Sequence, residues 1–404
     1  MRLWETAAAT SGSLSLLQWA WSLEFADGNP GRTLCVAVDN GHLEMVKWIL
    51  EQRFAAVESS AFSVNLDKAA QRDHLAVIEW LIGNEPTKCC IDSAECDTAR
   101  KGQVELVRLL RLGGVQGCSN NAIAAAASRG QEDLVKWLHS HQVSGSPGNA
   151  VGEAASHGFL DLAKWLKENT SETWTDVDAD TACQNGYVDV VKWLHENNHK
   201  FSANAMDMAA SEGHLDVVQW LHFNGREGCT TKAIDLAAAN GSLQVVKWLC
   251  GNRTEGFTIE AMEGAAANGH LEVVKWFYTS RKQDITARAM ERAVKNNQLE
   301  TVKWISEHTM EGFPPATFDE AAARGYFEMV QWLSTHTTGS WASAASCAMK
   351  NAHFDVARFL HQTREECDTF QVLNEDTERR WQFAEWMFTY HNKEFNAMGT
   401  ILFS

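Results

Sequence analysis

The sequence predicts an all-α solenoid, a stack of helix-turn-helix units. Three observations predict it. One phrase recurs, as GHLEMVKW at 41–48, GYVDVVKW at 186–193, GHLDVVQW at 213–220 and GHLEVVKW at 269–276. The apolar residues around each copy keep a helical spacing of three and four. The composition is skewed as copying of one unit would skew it, with 17 tryptophans against 4 tyrosines, and only 5 prolines are present to break helices.

The first residue of the phrase serves as an anchor. The anchors are Gly12, Gly41, Asp73, Gly102, Gly130, Gly158, Gly186, Gly213, Gly241, Gly269, Asn297, Gly325 and Ala352, recurring every 27–32 residues. Thirteen units therefore fill residues 1–361, and the first reads either as an N-terminal cap or as the continuation of further repeats. Residues 362–404 lose the pattern, and a degenerate unit centres on Trp386. Its TERRWQFAEWMF stretch at 377–388 reads as a closing amphipathic helix over the last apolar face.

Residues 229–250 illustrate one unit. Ala233, Ile234, Ala237 and Ala238 share a face of a first helix, helix one, and the alanine pair lets a neighbouring helix approach closely. Gly241 ends that helix in the left-handed conformation that glycine tolerates. Asp73 and Asn297 are the next-best residues for that conformation, and Ala352 is a poor one. Helix two carries Leu243, Val246 and Leu249 as its buried stripe. Acids in its first turn (Glu44, Asp133, Asp161, Asp189, Glu272) precede bases three residues on (Lys47, Lys136, Lys164, Lys192, Lys275), an arrangement that suits the helix dipole. Thr230, Thr258, Thr286, Ser202, Ser119 and Thr175 occupy the N-cap slot of helix one. Apolar residues flank that slot as a hydrophobic staple would, such as Phe257 with Met262 and Phe201 with Met206. Phe313 and Phe318 keep the staple around Pro314, which replaces the cap. No single unit can bury its own apolar faces, but a stack of them can.

Charge and cysteine usage narrow the function. The formal net charge is −17. Phosphate backbones and anionic membranes require Lys and Arg, so neither nucleic acid nor membrane is expected as partner. A protein with a basic surface fits better. The 10 cysteines are scattered without a CxxC pair, and Cys89, Cys90 and Cys96 lack a second pair at metal-finger spacing. Reduced thiols, no metal and no cofactor are expected. No secretory signal or apolar run of membrane-spanning length is visible, so an intracellular, cytoplasmic chain is expected. No nucleophile elbow, P-loop or dinucleotide fingerprint occurs, which points away from an enzyme.

The phrase AAxxGHLEVVKWL resembles the ankyrin repeat in its alanine pair, turn glycine, following histidine and helix-two stripe, over roughly residues 1–360. It is most similar to the tryptophan-rich short arrays of oomycetes and other protists. The ankyrin unit is about 33 residues long, so these shorter units imply that the β-hairpin fingers are shortened or absent. The resemblance implies a protein-binding scaffold, but the fingertip mode of binding does not carry over with it.

Three rows are candidates for more than packing. Trp19, Trp48, Trp80, Trp137, Trp165, Trp193, Trp220, Trp248, Trp276, Trp304 and Trp332 fill one helix-two slot, with Leu109 and Phe359 in the remaining units. Because Leu and Phe substitute there, the row reads as an inter-unit packing ladder. His42, His74, His214, His270 and His353 follow their anchors and are expected to brace the turns by hydrogen bonds. The third row, Asp180, Asp207, Asp235, Glu263, Glu291 and Asp319, puts a carboxylate at one point of helix one in six successive units. Asp180, Asp207, Glu263 and Asp319 have no base three or four residues away. The row has two readings: a local bond to a cap hydroxyl or neighbouring backbone N–H, or an acidic groove for a basic partner. Beside it Thr181, Met208, Leu236, Gly264, Arg292 and Glu320 vary freely, as a surface tuned to one partner would. The expected function is a protein-binding scaffold that uses the helix-one face. An adaptor presenting a client to an enzyme such as a ubiquitin ligase is the alternative.

Overall fold

The structure is a computed structural model that describes residues 2–22, 30–52, 63–91, 94–113, 121–141, 149–171, 173–225, 228–309, 313, 315–336, 341–363, 382 and 385. All of the closing stretch at 377–388 except 382 and 385, and with it Trp386, lies outside the described residues, as do Ser119 and Pro314. Among those described, 26 α-helices form thirteen pairs, one pair for each predicted unit. The chain divides into a first part, 1–199, with units one to seven, and a second part, 200–404, with units eight to thirteen. Among the described residues no helix is long and apolar enough to cross a membrane.

Unit nine shows why the pairs form. Helix one spans Lys232–Ala239 and buries Ala233, Ile234, Ala237 and Ala238. Gly241 follows at φ +78°, donating its N–H to Ala238 O, while Ser242 N–H donates to Ala237 O. These paired bonds satisfy the last carbonyls of the helix and reverse the chain. Asp73, Asn297 and Ala352 adopt the same positive φ in their units. Helix two spans Leu243–Asn252 and buries Val245, Val246 and Leu249. Leu243 is only half-buried, so the stripe begins at Val245.

Caps hold where the slot sequence allows. Thr175, Thr258 and Thr286 each accept a backbone N–H of the first turn, and Thr175 and Asp178 form a reciprocal capping box. Ser202 sits at the cap without a side-chain bond, and Thr230 lies one residue ahead of it but still accepts Lys232 N–H at 3.1 Å. Surface pairs form at Lys47–Glu44, Lys192–Asp189 and Lys275–Glu272, whereas Lys136 chooses Glu132 rather than Asp133. Exposed pairs of this kind contribute little.

The tryptophan row does pack from unit to unit, but at the rim of the core. Trp248 meets His222 of the preceding unit at 5.1 Å, and Trp304 meets Tyr278 at 5.5 Å. Others lean on the residue before their own cap, as Trp193 does on Trp174 and Trp220 on Phe201. Trp193 is 8% exposed and Trp19 55%, and the rest of the row is half-buried. The wide indole reaches past the helix edge and keeps one edge in water.

One departure from pure helix occurs in the first part. Val64–Asn65 pairs in parallel with Cys89–Cys90. The long step from Gly41 to Asp73 supplies the extra chain for it. Cys89 is buried in this bridge, and desolvation pushes its thiol up to about 11, so it stays neutral at pH 7. Cys96 lies apart, in the wall of a cleft described below. Among the described residues no three His, Cys, Asp or Glu side chains group as metal ligands would.

Candidate functional site

The acidic row lies on helix one, and the structure turns most of it toward the next unit. Asp207 is 4% exposed; it accepts Thr230 N–H at 2.8 Å and Thr230 Oγ1–H at 2.6 Å. Asp235 takes the same two bonds from Thr258, both at 2.8 Å. Glu263 is 1% exposed and accepts Thr286 Oγ1–H at 2.8 Å, with Arg288 and Arg292 each 3.4 Å from its other oxygen. Asp319 accepts Ser343 Oγ–H at 2.7 Å. These carboxylates are clasps. Asp207, Asp235 and Glu263 each hold the start of the following unit's helix one against their own, and the threonine hydroxyl there serves both units at once, whereas Asp319 bonds Ser343 inside the first turn of the next helix.

The clasp accounts for the partners that local spacing misassigned. Glu263 has no base within one turn, yet two arginines reach it from the next unit. Arg288 bonds Glu263 and Glu260 across the unit boundary. Glu291 is exposed. The cap slot that would face it holds Pro314, a residue with neither hydroxyl nor N–H. Asp180 is half-buried on Asp176–Gln184. As a groove for a basic partner the row is therefore discontinuous, because Asp207 and Glu263 are inside the fold.

A second clasp, made by residues that the sequence reading missed, closes the other end of helix one. Asn240 Nδ2 donates to Ser211 O at 2.8 Å, Asn268 Nδ2 to Ala239 O at 2.7 Å and Asn296 Nδ2 to Ala267 O at 2.9 Å. Each ties the residue before an anchor to the last turn of the preceding helix one. The signal was the asparagine directly before the anchor in three successive units. Histidines at the anchors pack over the preceding turn: His42 Nε2 is 3.1 Å from Thr10 O, and His270 lies against Gly241.

Between the two clasps runs the variable row. Leu236 is 43% exposed, Met208 and Gly264 are half-buried, and Glu320 pairs with Arg324 at 2.6 Å. Arg292 reaches Glu260 at 2.6 Å. The hydrogen bond from Arg292 lowers the Glu260 carboxyl from its usual value.

In the first part the helix-one face opens into a cleft of about 750 Å3, lined among others by Arg100, Asn121, Arg129, Asn149, Glu153 and His157. The clasp slot of these units holds Ala124 and Gly152 instead of an acid. A Cβ on Gly152 would lie 2.2 Å from Asp178 Oδ2. Asp178 takes the place of the missing clasp, accepting Asn149 Nδ2 at 2.8 and 2.9 Å and Thr175 N–H at 2.7 Å.

The clasp makes a prediction. Asp207→Ala is expected to cost about 2 kcal/mol, the scale of charge-assisted bonds lost from a buried site. Thr230→Val should cost less, because its N–H can still donate. In a double-mutant cycle the two should couple, and additive losses would show that the bonds contribute nothing together.

Residues 179–222 and 206–250 match the family model described as ankyrin repeats (many copies). Among solved structures, the pentatricopeptide repeat protein PPR10 from maize is similar over 98% of this chain and 72% of that chain, at 11% identity and a TM-score of 0.38. None of the curated proteins compared matches the chain.

Proposed function

Because the chain carries ankyrin repeats over residues 179–250, we propose that it is a non-enzymatic scaffold binding protein partners along its helix-one face. Stacked repeats of this kind present extended concave surfaces. One observation carries the reading. Recurring polar residues of helix one in the second part, Asp207, Asp235 and Glu263 at one slot and Asn240, Asn268 and Asn296 at another, are engaged in holding units together. The slot between them carries Met208, Leu236, Gly264, Arg292 and Glu320, of which Arg292 alone also pairs with the preceding unit, through Glu260 and Glu263. A surface whose scaffold is fixed and whose intervening side chains differ from unit to unit is suited to one partner's shape. The half-exposed Leu236 and Met208 supply its apolar centre, and Arg292 and Glu320 its charged rim, the anatomy of a protein interface.

The test is affinity capture with quantitative comparison of variants. Leu236→Glu replaces an exposed side chain, so the fold should survive while specifically captured proteins fall about tenfold or more, as loss of an interface centre does. Trp19→Ala, on helix two and also exposed, should leave capture unchanged. Equal capture by all three chains would remove the helix-one face from the mechanism.

A further inference from the structure

We infer that the turns at Asn185–Gly186, Asn240–Gly241 and Asn268–Gly269 are modification sites, where opening of a unit lets water convert the asparagine irreversibly to aspartate or isoaspartate and so breaks that unit's clasp. No partner is involved; the reaction concerns only what holds neighbouring units together.

The three dipeptides sit where two demands of the repeat meet. The anchor is glycine because the turn is left-handed, at φ +79°, +78° and +77°. The residue before it is asparagine because its amide reaches the preceding unit. Asn185 Nδ2 donates to Ser156 O at 3.0 Å, Asn240 Nδ2 to Ser211 O at 2.8 Å and Asn268 Nδ2 to Ala239 O at 2.7 Å. Asparagine followed by glycine is also the pair in which a backbone nitrogen most readily attacks the side-chain carbonyl, because no Cβ on the second residue hinders the approach. The glycine nitrogen bonds to asparagine Cγ, and its proton passes through water to the amide nitrogen, which leaves as ammonia. The five-membered imide then takes up one water. Cleavage of the new N–Cγ bond gives aspartate, and cleavage of the original peptide bond gives isoaspartate. One water enters and one ammonia leaves in each event.

The folded stack blocks each step. Ring closure needs the glycine nitrogen to swing over asparagine Cβ. At ψ −1°, 5° and 5° it eclipses the asparagine's own backbone nitrogen instead. The glycine N–H is held as well, by Cys183 O at 3.2 Å, Ala238 O at 3.1 Å and Ala266 O at 3.3 Å. The leaving nitrogen is itself the clasp donor. All three restraints are released when the unit lifts off its neighbour, a local opening that costs less than unfolding the chain. Reclosure is then barred. Aspartate turns a carboxylate toward a carbonyl oxygen that requires a donor, and isoaspartate adds a methylene to the backbone of a tight turn.

Other positions of the chain serve as comparisons. Asn40 and Asn224 also precede glycine, but their amides donate within their own helices, to Val36 O and Trp220 O, so losing the amide removes no donor to another unit. Asn296 clasps Ala267 O at 2.9 Å but is followed by Asn297. In units three and four Arg72 and Lys101 make the backward bond with side chains that cannot cyclise in this way.

The full chain is incubated in mildly alkaline buffer with and without urea, and mass spectrometry of its peptides reads the exchange of amide for acid at each asparagine. Asn185, Asn240 and Asn268 are expected to convert at least about tenfold faster in urea, where the open state dominates. Asn296 should lag behind them there. Asp207→Ala frees the start of helix one in unit nine, so in buffer it should speed conversion of Asn240 about tenfold and that of Asn185 less. Thr230→Val, a milder lesion of the same clasp, should act in the same direction. Asn240→Asp should lower the denaturant midpoint, whereas Asn240→Lys, which supplies a donor as Lys101 does, should hold it near that of wild type. Equal rates with and without urea, an Asn296 rate in urea matching that of Asn240, an unchanged Asn240 rate in both clasp variants, or an Asn240→Asp chain as stable as wild type would each overturn the inference.

Discussion

Trp193→Ala is expected to destabilise the first part by about 3–5 kcal/mol, the range for deleting a large buried aromatic. Trp193 is 8% exposed, and its indole lies 5.1 Å from that of Trp174. Trp174 in turn donates Nε1–H to His199 Nδ1 at 3.2 Å and lies under Lys167 Nζ at 5.3 Å. Removing the Trp193 ring leaves a cavity beneath a side chain that has its own fixed partners, so the site cannot collapse cheaply. The same change at Trp19, 55% exposed, should cost less than about 1 kcal/mol. Half-buried members such as Trp248 belong between these limits. Denaturant midpoints of the three variants, compared with wild type under one set of conditions, measure the ranking. A Trp193 loss no larger than that of Trp19 would mean that the ladder does not hold the units together.

Gly241→Val is the second large effect, with a loss of about 3 kcal/mol or more. Two costs add there. The backbone sits at φ +78°, where a β-branched side chain is strongly disfavoured. A Cβ would also stand 2.4 Å from His270 Nδ1 of the next unit. Gly241→Asn should cost less, since Asn297 holds the equivalent anchor at φ 59°. The two costs separate in a cycle with His270→Ala, which removes the steric part and leaves the backbone part. Thermal or denaturant unfolding of the four chains reads it. Equal losses for Val and Asn would show that the turn does not depend on the left-handed backbone, and no rescue by His270→Ala would show that the ring can move aside.

The fold was legible because each of its determinants is local. A cap, a helical stripe and a turn residue act within one unit of about 28 residues, and repetition averages away exceptions such as Ala352. The anchors, the thirteen helix pairs and most caps followed from that. The clasp roles did not, because they join residues 23 or more positions apart. Local spacing leaves Glu263 without a base, whereas the fold brings it Arg288 and Arg292 from the following unit. The equal 23-residue offset of Asp207–Thr230, Asp235–Thr258 and Glu263–Thr286 was present in the sequence, and Pro314, at the same offset from Glu291, is its informative exception.

What the sequence by itself determined is the repeating unit: its two helices, its left-handed turn and the apolar faces that one unit cannot bury alone. Only the tertiary structure decided which polar residues remain for a partner. Carboxylates in one sequence row met different fates, Asp207 and Glu263 inside a clasp and Glu291 exposed. Arg72 and Lys101 bond backward while Arg129 faces a cleft. The physical reason is that a side chain's availability depends on donors and space supplied by the next unit. A hydroxyl, an N–H or a missing Cβ about one repeat away settles whether a charge is satisfied within the stack or left on its face.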